Sequence, residues 1–154
     1  MMAVRPATLD DVQPLAQLLR GIGWFAAIEN ETAAETAVRV SHHLALCLAD
    51  DSHAIFVAEN EAGRVVGYTA VHTLPYLFLS GPEGFVSELF VSDFARGQGV
   101  GGRLLDAVVA AARQRGCVRL QLVNFRQRES YQRHFYQKHG WQERAEAADF
   151  VFFV

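Results

Sequence analysis

The most informative segment of this chain is Arg96-Gly97-Gln98-Gly99-Val100-Gly101-Gly102. Its glycines let the backbone turn tightly and let a ligand come close to the N–H groups. The helix that follows begins without Ser, Thr, Asp or Asn, so its first N–H groups lack a side-chain cap. These donors, the positive end of the helix dipole and the guanidinium of Arg96 together predict an anion site. A phosphate group could take the place of the missing cap.

Two common nucleotide motifs fit this segment poorly. A P-loop is excluded because no Gly-Lys-Ser/Thr follows the glycines. Gly97, Gly99 and Gly102 match the dinucleotide fingerprint G-x-G-x-x-G, but the preceding predicted strand ends too early for the tight turn which that fingerprint requires. The next predicted strand, 118–123, also lacks the acidic residue that would hold a ribose. A dinucleotide-binding domain therefore stays a minor alternative, which stabilisation by NAD would favour.

The segments on either side of the glycines predict an α/β architecture. Residues 85–91 are apolar on both faces and are expected to form a central strand. The apolar stripe of 104–112 predicts a buried helix, and Gly116 is suited to end it. Residues 118–123 then predict a further strand. Strand, helix and strand would form one right-handed crossover.

The rest of the chain adds antiparallel elements to this crossover. We expect a strand at 3–7, helices at about 9–20 and 33–48, a hairpin of 54–59 and 64–73, a helix at 129–139 and a final hairpin of 141–145 and 150–154. The elements predict one α/β domain over 1–154, with a mixed, mostly antiparallel sheet of six to seven strands flanked by about four helices. The apolar end, Phe150–Val154, is expected to be a buried core strand. The alternative is an edge strand that pairs in a homodimer.

Composition excludes several classes of protein. The chain has 154 residues, of which 51% are hydrophobic and 20% charged, which is typical of one soluble globular domain. No apolar run approaches the roughly 20 residues of a membrane span, and no signal peptide is evident. Two cysteines, Cys47 and Cys117, do not make a disulfide framework, so we expect a cytoplasmic location and no membrane partner. A net charge of −3 argues against a nucleic-acid partner.

Charge is distributed unevenly along the chain. Residues 96–138 carry eight Arg and one Lys against two acidic residues, which gives +7, and the remainder of the chain is at −10. This asymmetry suits a polyanionic ligand for the basic segment and a cationic one elsewhere. The alternative is a set of solvated helix faces.

Three motifs together resemble the GCN5-related N-acetyltransferase (GNAT) family. Arg96-x-x-Gly99-x-Gly101 is similar to that family's acetyl-CoA signature. Glu88-Leu89-Phe90-Val91 looks like its fourth strand, and 135–141 looks like its late segment of Tyr, basic residue, Gly and aromatic residue. The order of elements also agrees, and the resemblance covers essentially the whole chain.

The resemblance implies acetyl-CoA as co-substrate, with no metal, in an opening between strands 85–91 and 118–123. Backbone groups of Phe90 and Val91 would hold the pantetheine arm. Asn124 would lie near the thioester end. The pyrophosphate would be held by the N–H groups of the glycine segment, namely Gln98, Gly99, Val100, Gly101 and Gly102, beside Arg96 and Gly97. The basic surplus of 96–138 would then face the polyanionic coenzyme A.

The resemblance also implies two catalytic residues. Acetyl transfer needs a free amine, and an alkyl ammonium with a pKa of about 10 must first lose a proton. Glu88 would be the base, directly or through water; its alternative is a structural carboxylate paired with Arg. Tyr136 would be the acid that protonates the leaving thiolate; its alternative is a packing residue. Glu129 and Gln132 stand where the family often has Asn and Ala, so contacts are not carried over to Glu129.

The substrate side is expected to consist of residues 21–41, the loop 75–84 and the final hairpin. Aromatic and acidic residues in these segments would suit a cationic amine. These residues are Trp24, Phe25, Glu29, Glu31, Tyr76 and Glu83. We therefore expect an acetyl-CoA-dependent N-acetyltransferase that acts directly on a primary amine of a small molecule. A protein Nα- or lysine acetyltransferase and a non-catalytic acyl-CoA-binding domain are the alternatives. His42, His43 and Cys47 lie close in sequence, but the two His face different ways, which argues against a metal site.

Overall fold

A computed structural model describes residues 2–154 of the chain. Two compact units are distinguished, Met1–Gln121 and Leu122–Val154. No helix among residues 2–154 is both long and apolar enough to cross a bilayer. The first unit holds most of the sheet and the three long helices.

The sheet has five strands in the described residues, and their spatial order is their order along the chain. These strands are β1 (Ala3–Pro6), β2 (His53–Glu59), β3 (Val65–Leu74), β4 (Glu83–Val91) and β5 (Arg119–Leu122). The first four pair antiparallel with their neighbours. The last follows β4 across a helical connection, as the sequence predicts.

Helices lie on both faces of the sheet. The long ones are α1 (Val12–Ile22), α3 (Ala33–Cys47) and α4 (Val100–Gln114); α2 (Ala26–Glu29), α5 (Glu129–Gln132) and α6 (Phe135–Lys138) are single turns. One face packs on α1 and α3, with Leu15, Leu44, Val57 and Tyr68 in a shared core. The other face packs on α4, where Val66, Val100 and Leu104 are buried together.

The pairing of β3 with β4 contains a bulge. Ala70 lies opposite Glu88, but Val71 lies opposite Val86, so Ser87 is the extra residue of β4. A bulge of this kind shifts the alternation of side chains between the two faces of the sheet. Phe85 and Glu88 consequently point to the same face, the one that carries α1 and α3.

Close approach to α4 requires a glycine in β3. A Cβ atom on Gly67 would lie 3.0 Å from the carbonyl oxygen of Phe90 and 3.1 Å from Cγ1 of Val100. Gly67 therefore lets β4 and the first turn of α4 meet the central strand at one point.

The α/β fold class is confirmed, but parts of the predicted element pattern are wrong. The sheet has five strands rather than six or seven among residues 2–154, because 141–145 and 150–154 form no strand there. Phe150–Val154 is exposed rather than buried, with Phe150 at 91% and Phe152 at 88% exposure. Strand formation depends on a pairing partner, and apolar composition does not specify one.

The predicted helix at 129–139 is also wrong in detail. It is interrupted between α5 and α6, where His134 adopts a left-handed conformation with φ of 55°. None of the residues of α5 or α6 is fully buried, although Phe135 and Tyr136 are half-buried. Short helices without a packed face have little stability of their own, so the break costs little here.

The start of α1 is held by an ionic network. Asp11 is 3% exposed, receives two hydrogen bonds of 2.8 Å from the Arg5 guanidinium, and accepts another from the Thr8 N–H. Arg5 also bonds Glu59 at the end of β2. Hydrogen bonding from Arg5 is the main cause that holds the pKa of Asp11 below its ordinary value.

We predict that Asp11→Asn destabilises the fold by about 2 kcal/mol at pH 7. Because the folded pKa of Asp11 is lowered, its charge contributes stability above the unfolded value of about 4, and this contribution is lost as pH falls through the folded value. The difference in the free energy of unfolding between wild type and variant, measured by denaturant unfolding, should therefore be smaller at pH 3 than at pH 7. Asp10→Asn, at an exposed position, is the matched control. An equal difference at pH 7 and pH 3 would contradict the prediction.

Candidate active site

The start of α4 has the backbone of an anion cradle. Gly99 occupies the N-cap position with φ of 79°, and no side chain caps the helix. Gly97 also has a positive φ, 75°, and a Cβ atom at either glycine would meet no heavy atom within 4 Å. Both positions thus require glycine for conformation rather than for space, and the donors of the first turn face an open side.

Side chains beside the cradle are held in place. Arg96 pairs with Asp93 at 2.8 Å, and its guanidinium lies 5.4 Å from the centre of the Trp24 ring. The side-chain amide of Gln98 donates a hydrogen bond of 2.9 Å to the main-chain carbonyl of Phe94. The cradle therefore consists of backbone donors with one guanidinium nearby, which suits a phosphate.

Aromatic rings surround the end of β4. The Phe90 ring meets Phe25 at 5.3 Å, Tyr68 at 5.8 Å and Trp24 at 6.1 Å between centroids. Phe90 and Val91 are both half-buried. Through Trp24 this cluster reaches Arg96, so the end of β4 and the approach to α4 share one wall.

Glu88 lies two residues before Phe90 on the same face of the sheet. Its Oε1 accepts a hydrogen bond of 2.9 Å from the Tyr68 hydroxyl, and its carbonyl accepts one of 2.8 Å from the Thr69 hydroxyl. The carboxylate is half-buried. Its charge contributes to raising the pKa of two groups on α3, Arg39 and Cys47, although bonding to Glu31 and burial are their respective main causes.

The second unit contains the other two predicted site residues. Burial raises the pKa of Tyr136 to about 12, so its hydroxyl stays protonated and can donate at neutral pH. Its ring meets Phe135 at 5.0 Å and Trp141 at 6.1 Å. Asn124 is half-buried and accepts a hydrogen bond of 3.0 Å from the Ser130 hydroxyl.

The predicted residues thus fall into two groups. Arg96–Gly102, Phe90, Val91 and Glu88 lie in the first unit, where the Trp24 and Phe90 rings connect the cradle with β4. Tyr136 and Asn124 lie in the second. Their roles beside the first group stay predictions.

Two predicted substrate-side carboxylates have structural partners. Glu31 binds the guanidinium of Arg39 through two bonds of 2.9 and 2.8 Å, and this bonding lowers the pKa of Glu31 to about 2. Glu83 is 0% exposed and is bonded to Arg119, because β4 begins two residues earlier than the sequence predicts. Charge in an irregular segment was a poor guide here, since it does not show which arginine pairs with the carboxylate: Arg39 is 8 residues from Glu31, and Arg119 is 36 residues from Glu83.

Tyr68 was missed by the sequence analysis. It lies in the middle of β3, where seven consecutive residues, Val65–Val71, are buried. A tyrosine in such a central strand needs a partner for its hydroxyl, and that requirement was the available signal. Among residues 2–154, no group of three or more His, Cys, Asp or Glu side chains could hold a metal ion.

Comparison with known proteins identifies a family. Residues 20–141 match the model described as the acetyltransferase (GNAT) family. No curated protein sequence is significantly similar to the chain.

Solved structures share the fold. A transcriptional regulator from Bacillus halodurans C-125 is 24% identical, with a TM-score of 0.83 over 99% of this chain and 100% of that one. Glucosamine-6-phosphate N-acetyltransferase from Arabidopsis thaliana is 20% identical, with a TM-score of 0.75 over 99% of both chains. Ribosomal-protein-alanine N-acetyltransferase from Brucella melitensis biovar Abortus 2308 is 21% identical, with a TM-score of 0.70 over 100% of both.

A single substitution at the N-cap of α4 tests whether this segment binds an anion. We predict that Gly99→Ala raises the Kd for coenzyme A on the order of tenfold, because alanine strains the left-handed N-cap and moves the donors of the first turn. Isothermal titration calorimetry measures this directly. Gly63→Ala is the matched control, since Gly63 has φ of 72° and equal space in the β2–β3 turn. Equal affinity in both variants would contradict a cradle at Gly99.

Proposed function

The chain belongs to the GNAT acetyltransferase family, and from this we propose that it transfers the acetyl group of acetyl-CoA directly to a primary amine of a small molecule. One observation carries the proposal. The guanidinium of Arg96, beside the uncapped, glycine-rich start of α4, contacts an aromatic wall of Trp24, Phe90 and Tyr68. The Tyr68 hydroxyl at the other end of this wall bonds the carboxylate of Glu88. A phosphate-binding backbone and a proton acceptor on a shared surface are what this reaction needs.

The residues of the first unit fit acetyl-CoA as co-substrate. The N–H groups of Gln98–Gly102 would hold the pyrophosphate, with Arg96 nearby. Backbone groups of Phe90 and Val91 would hold the pantetheine arm along β4, and an N–H near Val91 would polarise the thioester carbonyl. In the second unit, Asn124 would lie toward the thioester end.

Glu88 would act as the general base. An alkyl ammonium is mostly protonated at neutral pH and cannot attack until a base removes one proton. The carboxylate of Glu88 is half-buried and held by Tyr68. It would accept that proton directly or through one water molecule.

Tyr136 would act as the general acid. Thiolate is the leaving group of the transfer, and a hydroxyl that is protonated at neutral pH can return a proton to it. The pKa of Tyr136, raised to about 12 by burial, keeps the hydroxyl in the donating form.

The activity can be tested by release of free thiol from acetyl-CoA in the presence of small amines, aminoglycosides and peptides. We expect release that depends on the amine, with small amines preferred over peptides. Preference for peptides would replace the small-molecule proposal with the protein acetyltransferase alternative. No release with any amine, while acetyl-CoA still raises the Tm, would favour the binding-only domain.

The catalytic roles can be tested by two isosteric variants. We predict that Glu88→Gln lowers kcat by roughly 10²–10³ and Tyr136→Phe by roughly tenfold, because each removes a proton acceptor or donor. Affinity for acetyl-CoA should stay within about twofold of wild type in both. Glu146→Gln, at an exposed position, is the control. Full turnover in Glu88→Gln would overturn its role as base.

A further inference from the structure

Tyr68 is a buried residue whose hydroxyl bonds the proposed base, Glu88. It is 4% exposed, and its hydroxyl donates to Oε1 of Glu88 at 2.9 Å. Burial is the main cause that holds the pKa of Tyr68 well above its ordinary value, and the charge of Glu88 adds to it. The phenol therefore remains a donor throughout the working range of pH.

The position of this hydroxyl is fixed by packing. The ring of Tyr68 contacts Phe90 at 5.8 Å, and Phe90 is in turn held edge-on by Phe25 at 5.3 Å. Tyr68 also lies opposite Phe90 in the register of β3 and β4. Moving the hydroxyl would thus disturb a core in which these three rings meet.

The next residue of β3 holds the other end of Glu88. Thr69 is 0% exposed, and its hydroxyl donates to the main-chain carbonyl of Glu88 at 2.8 Å. Consecutive residues of β3 therefore fix both the backbone and the side chain of Glu88, immediately beside the bulge at Ser87. Such double support restricts the carboxylate to one orientation.

Helix α3 supplies the other charged and titratable groups that interact with Glu88. Arg39 is bonded to Glu31 through two of its nitrogen atoms, and Cys47 is a half-buried thiol whose pKa is raised by burial. Within β3, Tyr68 is the group that bonds the carboxylate.

We propose that Tyr68 is a positioning residue for acetyl transfer. Its hydroxyl donates a hydrogen bond to Oε1 of Glu88 and thereby directs Oε2 toward the substrate ammonium. This inference rests on the proposed function of Glu88. In the proton transfer, an N–H bond of the ammonium breaks, an O–H bond forms at Oε2, and the electron pair stays on nitrogen for attack on the thioester. Tyr68 itself neither gains nor loses a proton.

Tyr68→Phe removes the donor and keeps the ring. We expect kcat to fall on the order of tenfold, because the carboxylate loses the bond that orients it toward the ammonium. The KM for the amine should stay within about twofold of wild type, because the ring is retained. The Kd for acetyl-CoA should be unchanged. Tyr131→Phe is the matched control, since Tyr131 donates to the exposed carboxylate of Glu143 at 3.0 Å.

A second variant keeps the donor. Genetic incorporation of 3-fluorotyrosine at position 68 retains the hydroxyl on a ring of nearly the same size. We expect its kcat to stay within about twofold of wild type. A role in packing alone would not make kcat depend on the hydroxyl.

The results that overturn this inference are separate from those that overturn the proposed function. An unchanged kcat in Tyr68→Phe, or an equal loss of kcat in the fluorotyrosine protein or in Tyr131→Phe, would refute the role of Tyr68 even if Glu88→Gln abolishes turnover. Turnover retained in Glu88→Gln would refute the role of Glu88 as base, on which that of Tyr68 depends.

Discussion

The bulge at Ser87 is the constraint on which the arrangement of the site depends. If the register of Val71 with Val86 continued without interruption, Glu88 would lie opposite Thr69 and point toward α4. The extra residue returns Glu88 to the face of Tyr68, where the aromatic wall and α3 lie. A carboxylate on the α4 face would instead enter an apolar core, where a charged group without a partner is costly.

The two faces of the sheet carry different helices and different kinds of side chain. The α4 face is an apolar core whose packing holds the first turn of the helix against β3, and Gly67 permits that contact because it has no side chain. The opposite face packs on α1 and α3 and also holds Glu88, whose carboxylate is bonded by Tyr68. One strand, β4, thus precedes the glycine-rich start of α4 and carries the proposed base in its middle.

Sequence patterns were sufficient for those features that are local. The glycines before α4 and the hairpin of β2 and β3 each follow from residues close together in the chain. Features that rest on distant partners were not predictable. The bond of Glu83 to Arg119, which is 36 residues away, depends on such a tertiary contact.

The same physical difference separates the remaining successes and failures. The exposed end at Phe150–Val154 was expected in the core because its residues are apolar, yet pairing and burial are decided by the rest of the fold. Tyr68 has no motif and became visible as a candidate only through its hydrogen bond to Glu88. Motifs also indicated Glu88 and Tyr136, and the catalytic roles of these two residues are predictions.

We propose that the start of α4 and the end of β4 hold one ligand, coenzyme A. An amide NMR titration of the ¹⁵N-labelled protein with coenzyme A tests this proposal. We expect the largest saturable shift changes at Gln98–Gly102 and at Phe90 and Val91, with a common Kd. Saturable changes confined to other parts of the chain, with these amides unmoved, would contradict it.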